Sequence, residues 1–322
     1  MLIKITAASV AFIALGGVLA ANQARSEPVA YPQKVVTLIT HSSPGGGSDI
    51  FLREMVKFLG KYIKADFVVE NISGGSGAKA MSHLAAAKPD GSTFYATTPT
   101  YIYTSIQSKP DKSYKDIEPL VNFFTDAEVI YTRTESPFKS LKDVIEHAKA
   151  KQGRWGVANP ASLERQAAEK LKKAAGVGAA IVPHEGGGDL IINVLNGTLD
   201  IGVGEIQELR AQLEGQKVRL LATFNSNRLV TFPDLPTVKE LGYDVAVSKF
   251  RGLAGPKGLP KDVVAIWEKA VPQLLADPEY KKVYGDAKLA PDFIPHDQYA
   301  KFIADFGATA EAAMKETTPP KQ

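Results

Sequence analysis

Two clusters of small residues are placed to do anion chemistry: Ser42-Ser43-Pro44-Gly45-Gly46-Gly47-Ser48-Asp49 and Ser73-Gly74-Gly75-Ser76-Gly77. Each follows an apolar, β-rich run and leads into a helical pattern. A loop without Cβ atoms lets backbone N–H groups close on an anion at the positive end of the following helix. It can also adopt the positive φ values of an anion-binding nest. The same residues suit ordinary tight βα turns, so either loop alone is ambiguous. Two of them on successive strands point to binding, with Ser43 to Ser48 and Gly74, Gly75, Ser76 and Gly77 as candidate carboxylate clamps. A third strand, residues 93–97, runs into Thr98-Pro99-Thr100, which places Thr98 and Thr100 beside them. Arg251, in Ser248-Lys249-Phe250-Arg251-Gly252, could grip a second carboxylate through its planar guanidinium or serve as a structural ion pair. Tyr101, Tyr103 and Phe250 could wall a pocket, although each singly reads better as a core aromatic.

Other chemistries lack their signals. No serine sits in G-x-S-x-G, and neither a Walker A loop nor G-x-G-x-x-G occurs. The five histidines are widely separated, with no H-E-x-x-H helix, and there is no cysteine, so no metal site or cofactor is expected. His41, next to the first glycine loop, could contact ligand or act as a base, but a lone histidine there more often supports the loop. A hydrolase or isomerase is therefore the weaker reading, and the chain is expected not to be an enzyme.

The elements that must position these loops alternate between strand and helix patterns, which predicts an α/β fold built of βαβ units. Strands are expected at residues 35–40, 67–70 and 93–97, then at 129–133, 155–158, 180–183, 200–204 and 219–224. Leu52, Met55, Val56, Leu59 and Ile63 fall on one helical face opposite Arg53, Lys57, Lys61 and Lys64. The later strands form a second group, separated by helical stretches at 141–151 and 163–175. A further strand-like run at 245–250 precedes helices from residue 261 onward. No linker separates the groups, so the tail is expected to return to the first lobe, giving lobe 1 as residues 27–128 plus 245–322 and lobe 2 as residues 129–244. Two sequential domains with one crossing are the alternative.

Lys4, an apolar run over residues 5–19 and small residues at Val18, Ala20 and Ala24 read as an export leader of residues 1–24, cleaved near Ala20 or Ala24. The run is too short for a membrane span, which needs roughly 20 apolar residues. Without cysteine the exported protein must be held by core burial, which a mature chain of roughly 295 residues can supply. Formal charge is +3; setting aside Lys4 and Arg25 leaves 36 basic against 35 acidic residues, or +1. No bulk field attracts nucleic acid or an anionic membrane, and a monomer is expected. The leader and the lack of an N-terminal helix-turn-helix also argue against a transcription regulator's effector domain.

Motifs along the whole mature chain carry a resemblance. Tyr31-Pro32, Ser43-Pro44-Gly45-Gly46-Gly47-Ser48-Asp49, Glu70-Asn71-Ile72-Ser73-Gly74-Gly75-Ser76-Gly77 and Lys88-Pro89-Asp90-Gly91 come first. His184-Glu185-Gly186-Gly187-Gly188, Asn196-Gly197-Thr198-Leu199-Asp200, Phe232-Pro233-Asp234-Leu235-Pro236-Thr237 and the run from Gly252 to Pro260 follow. In order and spacing these resemble the Bug (Bordetella uptake gene) family, the extracytoplasmic receptors of tripartite tricarboxylate transporters. The resemblance implies a type II periplasmic-binding-protein-like fold: two lobes with mainly parallel sheets, an inter-lobe ligand cleft and two chain crossings. It further implies a small carboxylate held largely by backbone amides and bridging waters, delivery to integral-membrane transporter subunits, and a periplasmic location. On the second lobe it implies ligand-facing loops at Asn159 to Ser162 and at Gly187, Gly188 and Asp189. A periplasmic sensor is the alternative role. The chain departs from the family at Asn159-Pro160, where a serine- and glycine-rich turn is usual, and at His184-Glu185, where Tyr-Lys is usual. Pro160 removes one donor. An acidic Glu185 near an anion is unfavourable unless it points away or meets an amine or hydroxyl of the ligand.

Overall fold

A computed structural model describes residues 31–317; the expected leader lies outside the described residues. Within them the chain builds two sheets. The first contains β1 (Val35–Thr40), β2 (Asp66–Asn71), β3 (Thr93–Thr97), β4 (Ile117–Asp126), β10 (Lys249–Pro256) and β11 (Ala290–Ile294), in the order β11-β4-β10-β3-β1-β2. The second contains β5 (Glu128–Arg133), β6 (Gly153–Val157), β7 (Ala179–Pro183), β8 (Ile201–Glu205) and β9 (Val218–Thr223), in the order β7-β6-β8-β5-β9. The chain passes from one sheet to the other at Ala127, between β4 and β5, and returns after β9 into β10.

The sheets are mixed rather than mainly parallel, and the crossings explain why. β1 pairs in parallel with β2 and β3, and β6 with β7 and β8. β5 runs antiparallel to β8 and β9, and β10 antiparallel to β3 and β4. A strand that has just entered its sheet from the other lobe must start at the boundary and run away from it. The others, except β11, which is antiparallel to β4, end there. Their carboxyl ends therefore gather the βα loops at the lobe boundary, where ligands of open α/β sheets bind.

Helices cover both faces of each sheet. On the first, α1 (Gly47–Leu59), α8 (Lys261–Ala276) and α9 (Pro278–Asp286) bury Leu52, Met55, Trp267 and Tyr280 with Phe123 and Phe124 of β4. The opposite face takes α2 (Ala78–Ala86), α3 (Pro99–Ser108) and α10 (His296–Thr317), around Met81, Tyr101, Phe250 and Tyr299. Tyr101, Tyr103 and Phe250 thus belong to this core. In the second lobe, α4 (Leu141–Ala150) and α5 (Leu163–Ala175) enclose one core cluster, and α6 (Gly187–Leu195) and α7 (Ile206–Glu214) another. Caps written in the sequence set several ends: Ser140 and Asp143 form a capping box before α4, Ser162 caps α5, and Gly176 ends α5 in the left-handed region.

β4, β11 and the start of β10 differ from the sequence reading. β4 carries Pro119, Asn122 and Glu118 in its ten residues, which obscure the strand pattern. Pro119 faces Ala254 at a register shift, the kind of bulged position at which a strand tolerates proline. Residues 245–248 are not strand: Val245 is buried in the second lobe's core, and the Val247 N–H donates to Phe224 O at 3.0 Å. The second crossing therefore falls just before Lys249.

Candidate functional site

The first glycine loop lies directly against the second lobe. A Cβ on Gly186 would lie 2.5 Å from Ser43 Oγ and 2.9 Å from Ser43 N, and one on Gly188 would lie 2.5 Å from Pro44 O. Only glycine allows this approach. The Gly47 N–H, opening α1, donates to Glu208 Oε1 at 2.5 Å. The same carboxylate lies against Gly187 at the start of α6, and it reaches back to the Glu205 amide at 3.5 Å at the start of α7. Three helix N-termini from both lobes thus converge on one carboxylate position, an arrangement that helix dipoles favour.

Behind this junction lies a buried charge network made by the crossing strands and the second lobe. Arg251 is fully buried, 2.5 Å from Asp126, 3.5 Å from Glu205 and 3.3 Å from Ser48 Oγ, with its guanidinium over the Phe51 ring. Lys249 Nζ meets Glu128 at 2.9 Å and Glu164 at 2.6 Å, and it also contacts Glu205. Oxygens of Glu128, Glu164 and Glu205 lie within 4.8 Å of one another, a set that could hold a metal ion. The cation they hold is the Lys249 ammonium.

Electrostatics follows from burial. Burial would raise the Glu205 carboxyl, but Lys249 and Arg251 overcome it and hold the group at about 2. Glu208 is pushed well above the carboxylate range by burial and by Glu205. Glu128 is raised in the same way by burial and by Glu164, and burial also raises Asp126 despite Arg251. Burial opposes the charge on Lys249, yet its three glutamates keep it firmly protonated. His41 is lowered to about 4 by burial and then by Lys249, and its Nδ1 meets Tyr95 OH at 2.6 Å.

Residues 51–318 match the tripartite tricarboxylate transporter family receptor. The chain belongs to that family. Protein BugT of Bordetella pertussis is 24% identical over 95% of each chain. A solved periplasmic transporter superposes with TM-score 0.84, at 28% identity over 90% of this chain and 99% of that one. MatC from Rhodopseudomonas palustris with bound malate has the same fold, with TM-score 0.78 at 22% identity, covering 89% of this chain and 99% of its own.

For this receptor-family member the structure gathers Ser43, Pro44, Gly47, Ser48, Gly187, Gly188 and Arg251 at the lobe junction. Gly45 has φ +81° and its N–H donates to Asp49, while Gly46 is the extended N-cap residue of α1. Gly74, Gly75, Ser76 and Gly77 all have positive φ, as a nest-forming loop requires, but their near neighbours are Lys79, Ala78, Tyr95 and His41 within the first lobe. Thr104 Oγ1 donates to Ser76 O at 2.6 Å. Thr98 and Thr100 are buried at the start of α3. Asn159 is buried and its carbonyl accepts from the Ser162 N–H, while the Ser162 hydroxyl caps α5 by accepting from Arg165 N. Asp189 is exposed in the first turn of α6. Sequence reasoning missed Asp126, Glu128, Glu164, Glu205, Glu208 and Lys249. A signal was present: acids alternate at 126 and 128 in one crossing, bases alternate at 249 and 251 in the other, and both interrupt apolar runs.

Proposed function

We propose that the chain is an extracytoplasmic solute-binding receptor of the periplasm. It captures a small carboxylate between its lobes and delivers it, without catalysing a reaction, to the integral-membrane subunits of a tripartite tricarboxylate-type transporter. The observation that carries this reading is the convergence of three helix N-termini on Glu208, a carboxylate of the chain standing where a ligand carboxylate would sit. The relative with bound malate supports the ligand class, and the leader of residues 1–24 supports export. Ser43, Gly47 and Gly187 contribute the clamp; the second glycine loop backs it through His41, and closure of the lobes completes the site.

Thermal unfolding tests it. A carboxylate at about 100 times its dissociation constant adds roughly 2.7 kcal/mol to the folded receptor, whereas its methyl ester should add almost nothing. An ester that stabilises as much as the acid would refute the clamp. Uptake of that carboxylate should also fall in cells from which the chain is deleted, and unchanged uptake would refute the transport role.

A further inference from the structure

One hydrogen bond at the junction runs directly from lobe to lobe. The Gly47 N–H of the first lobe donates to Glu208 Oε1 of the second at 2.5 Å, across 161 residues of sequence. Glycines of both lobes leave room for the acids that meet there. A Cβ on Gly187 would lie 2.1 Å from Glu208 Oε2 and 2.2 Å from its Oε1, and one on Gly47 would lie 2.3 Å from Glu205 Oε2. The two carboxyls hydrogen-bond one another but are unequally held. Glu205 is 4% exposed and is kept ionised by Lys249 and Arg251, whereas Glu208 carries the proton of the pair and stays partly exposed. Glu205 is therefore fixed in the network, and Glu208 is the member free to turn outward. An independent mark lies on the facing loop. The Ser43 hydroxyl is only 7% exposed as a residue and has no hydrogen-bond partner, so this part of the clamp holds a donor that Glu208 does not use.

Resting on the carboxylate-clamp reading above, we propose that Glu208 is a built-in competitor for the ligand carboxylate: it latches the unliganded lobes together through Gly47, and ligand binds only after that latch opens. The incoming carboxylate takes the Gly47 N–H and the α6 N-terminus and adds the Ser43 hydroxyl. Glu208 keeps Glu205 and turns its other oxygen to water or to a donor of the ligand. An ionised carboxylate accepts an N–H about twice as strongly as a neutral group does, so it displaces the protonated Glu208. An ester or amide oxygen has no such advantage and leaves the latch in place. Glu208 thus sets both affinity and selectivity, because a receptor competent for only a fraction of the time binds more weakly by that fraction.

Small-angle scattering and calorimetry on the intact mature chain test the latch, with malate, adipate and citrate as probes. Glu208→Ala removes the competing carboxyl. Without ligand it should be more extended than wild type, and it should bind the best probe roughly 2- to 12-fold more tightly, the equivalent of one hydrogen bond. A merely structural role predicts the opposite sign, since Glu208 also caps α7 and its loss would loosen the fold and weaken binding. Glu208→Gln offers an acceptor to Gly47 and a donor to Glu205, so it should restore the compact dimensions and reverse the gain in affinity. Stopped-flow binding to wild type needs no variant: the observed rate should level off at the latch-opening rate as probe concentration rises. A rate that climbs linearly throughout would overturn the proposal, as would a folded Glu208→Ala with wild-type dimensions or with equal or weaker affinity. Failure of wild type and Glu208→Ala alike to bind any probe would overturn the clamp reading, and the ligand-free dimensions of the two would still decide whether Glu208 holds the lobes.

Discussion

Gly188→Ala tests whether the lobes close at the contact described. Gly188 is the second residue of α6 and does not have positive φ, so alanine suits its backbone and improves the helix by roughly 0.5–1 kcal/mol. Its new Cβ would lie 2.5 Å from Pro44 O, a backbone atom of the opposite lobe that cannot rotate away. That is about 1 Å inside ordinary contact, so the lobes must part by about that much. The 2.5 Å bond from Gly47 to Glu208 then stretches to about 3.5 Å, the outer edge of hydrogen-bond range. Overpacking of this kind costs about 1–3 kcal/mol, and here it falls on the closed state alone. Ligand affinity should therefore drop roughly 5- to 150-fold while the unfolding midpoint without ligand holds or rises slightly. Calorimetry gives the first quantity and thermal unfolding the second, and small-angle scattering should show the variant more open than wild type. Gly178→Ala is the control, since nothing lies within 4 Å of its added Cβ. Unchanged affinity and dimensions in Gly188→Ala would refute closure at this junction.

Lys249→Met removes the ammonium from three buried glutamates and should cost about 3–5 kcal/mol in urea unfolding. The loss should be larger at pH 8 than at pH 5, where the glutamates escape by protonation; an equal loss at both would refute the assignment. His41 supplies the acid limb of stability. Its pKa is depressed from 6.5 to about 4, so its contribution is full above 6.5 and is lost as pH falls through 4. His41→Gln should remove about 3 kcal/mol of that acid-side dependence, and an identical pH profile in the variant would show that His41 does not carry it. Glu128 and Glu208 act in the opposite sense: their pKa values are raised by burial, so the stability they contribute is full below the ordinary carboxylate range and falls as pH rises through their folded values. Glu128→Gln should flatten that limb in a pH series of urea unfolding, and an unchanged slope would count against it.

The loops were legible in the sequence because glycine has few other reasons to cluster after a strand. Ser43-Pro44-Gly45-Gly46-Gly47-Ser48 lies at the end of β1 and opens α1, as its pattern demands. The position of φ strain was less legible: Gly45 and Gly75 have positive φ, while Gly46 is extended and is restricted instead by Ser43 O, 3.1 Å from its added Cβ. β4 escaped notice because Pro119 and Asn122 spoil its period, although the strand pairs on both sides. The charge network was invisible for a different reason. Lys249 and Glu164 are 85 residues apart, and a buried ion pair leaves no local periodicity. What the sequence does hold is the alternation of charge in the two crossings, which becomes informative once Lys249 is known to pair with Asp126 across the sheet.

That pairing also links charge to motion. Asp126, Lys249 and Arg251 stand on the strands where the chain crosses, whereas Glu164, Glu205 and Glu208 belong to the second lobe. Opening the lobes therefore draws Glu205 away from Lys249 and Arg251 and exposes buried charges to water. The cost of breaking the pairs is offset by hydration, as it is for any buried ion pair. Closure reassembles the network only if the junction in front of it, at Gly47, Gly186 and Glu208, is filled correctly. A ligand that takes the Gly47 N–H from Glu208 without offering that carboxyl a new partner leaves a buried polar group unsatisfied at the moment the lobes seal, and so favours the open form. Selection thus acts on the closing step as much as on the first encounter, because a ligand shifts an equilibrium only by its difference in affinity for the two states. Across a ligand series, association rates should accordingly vary less than dissociation rates. Stopped-flow binding in which wrong and right ligands differ only in their association rates would refute this account.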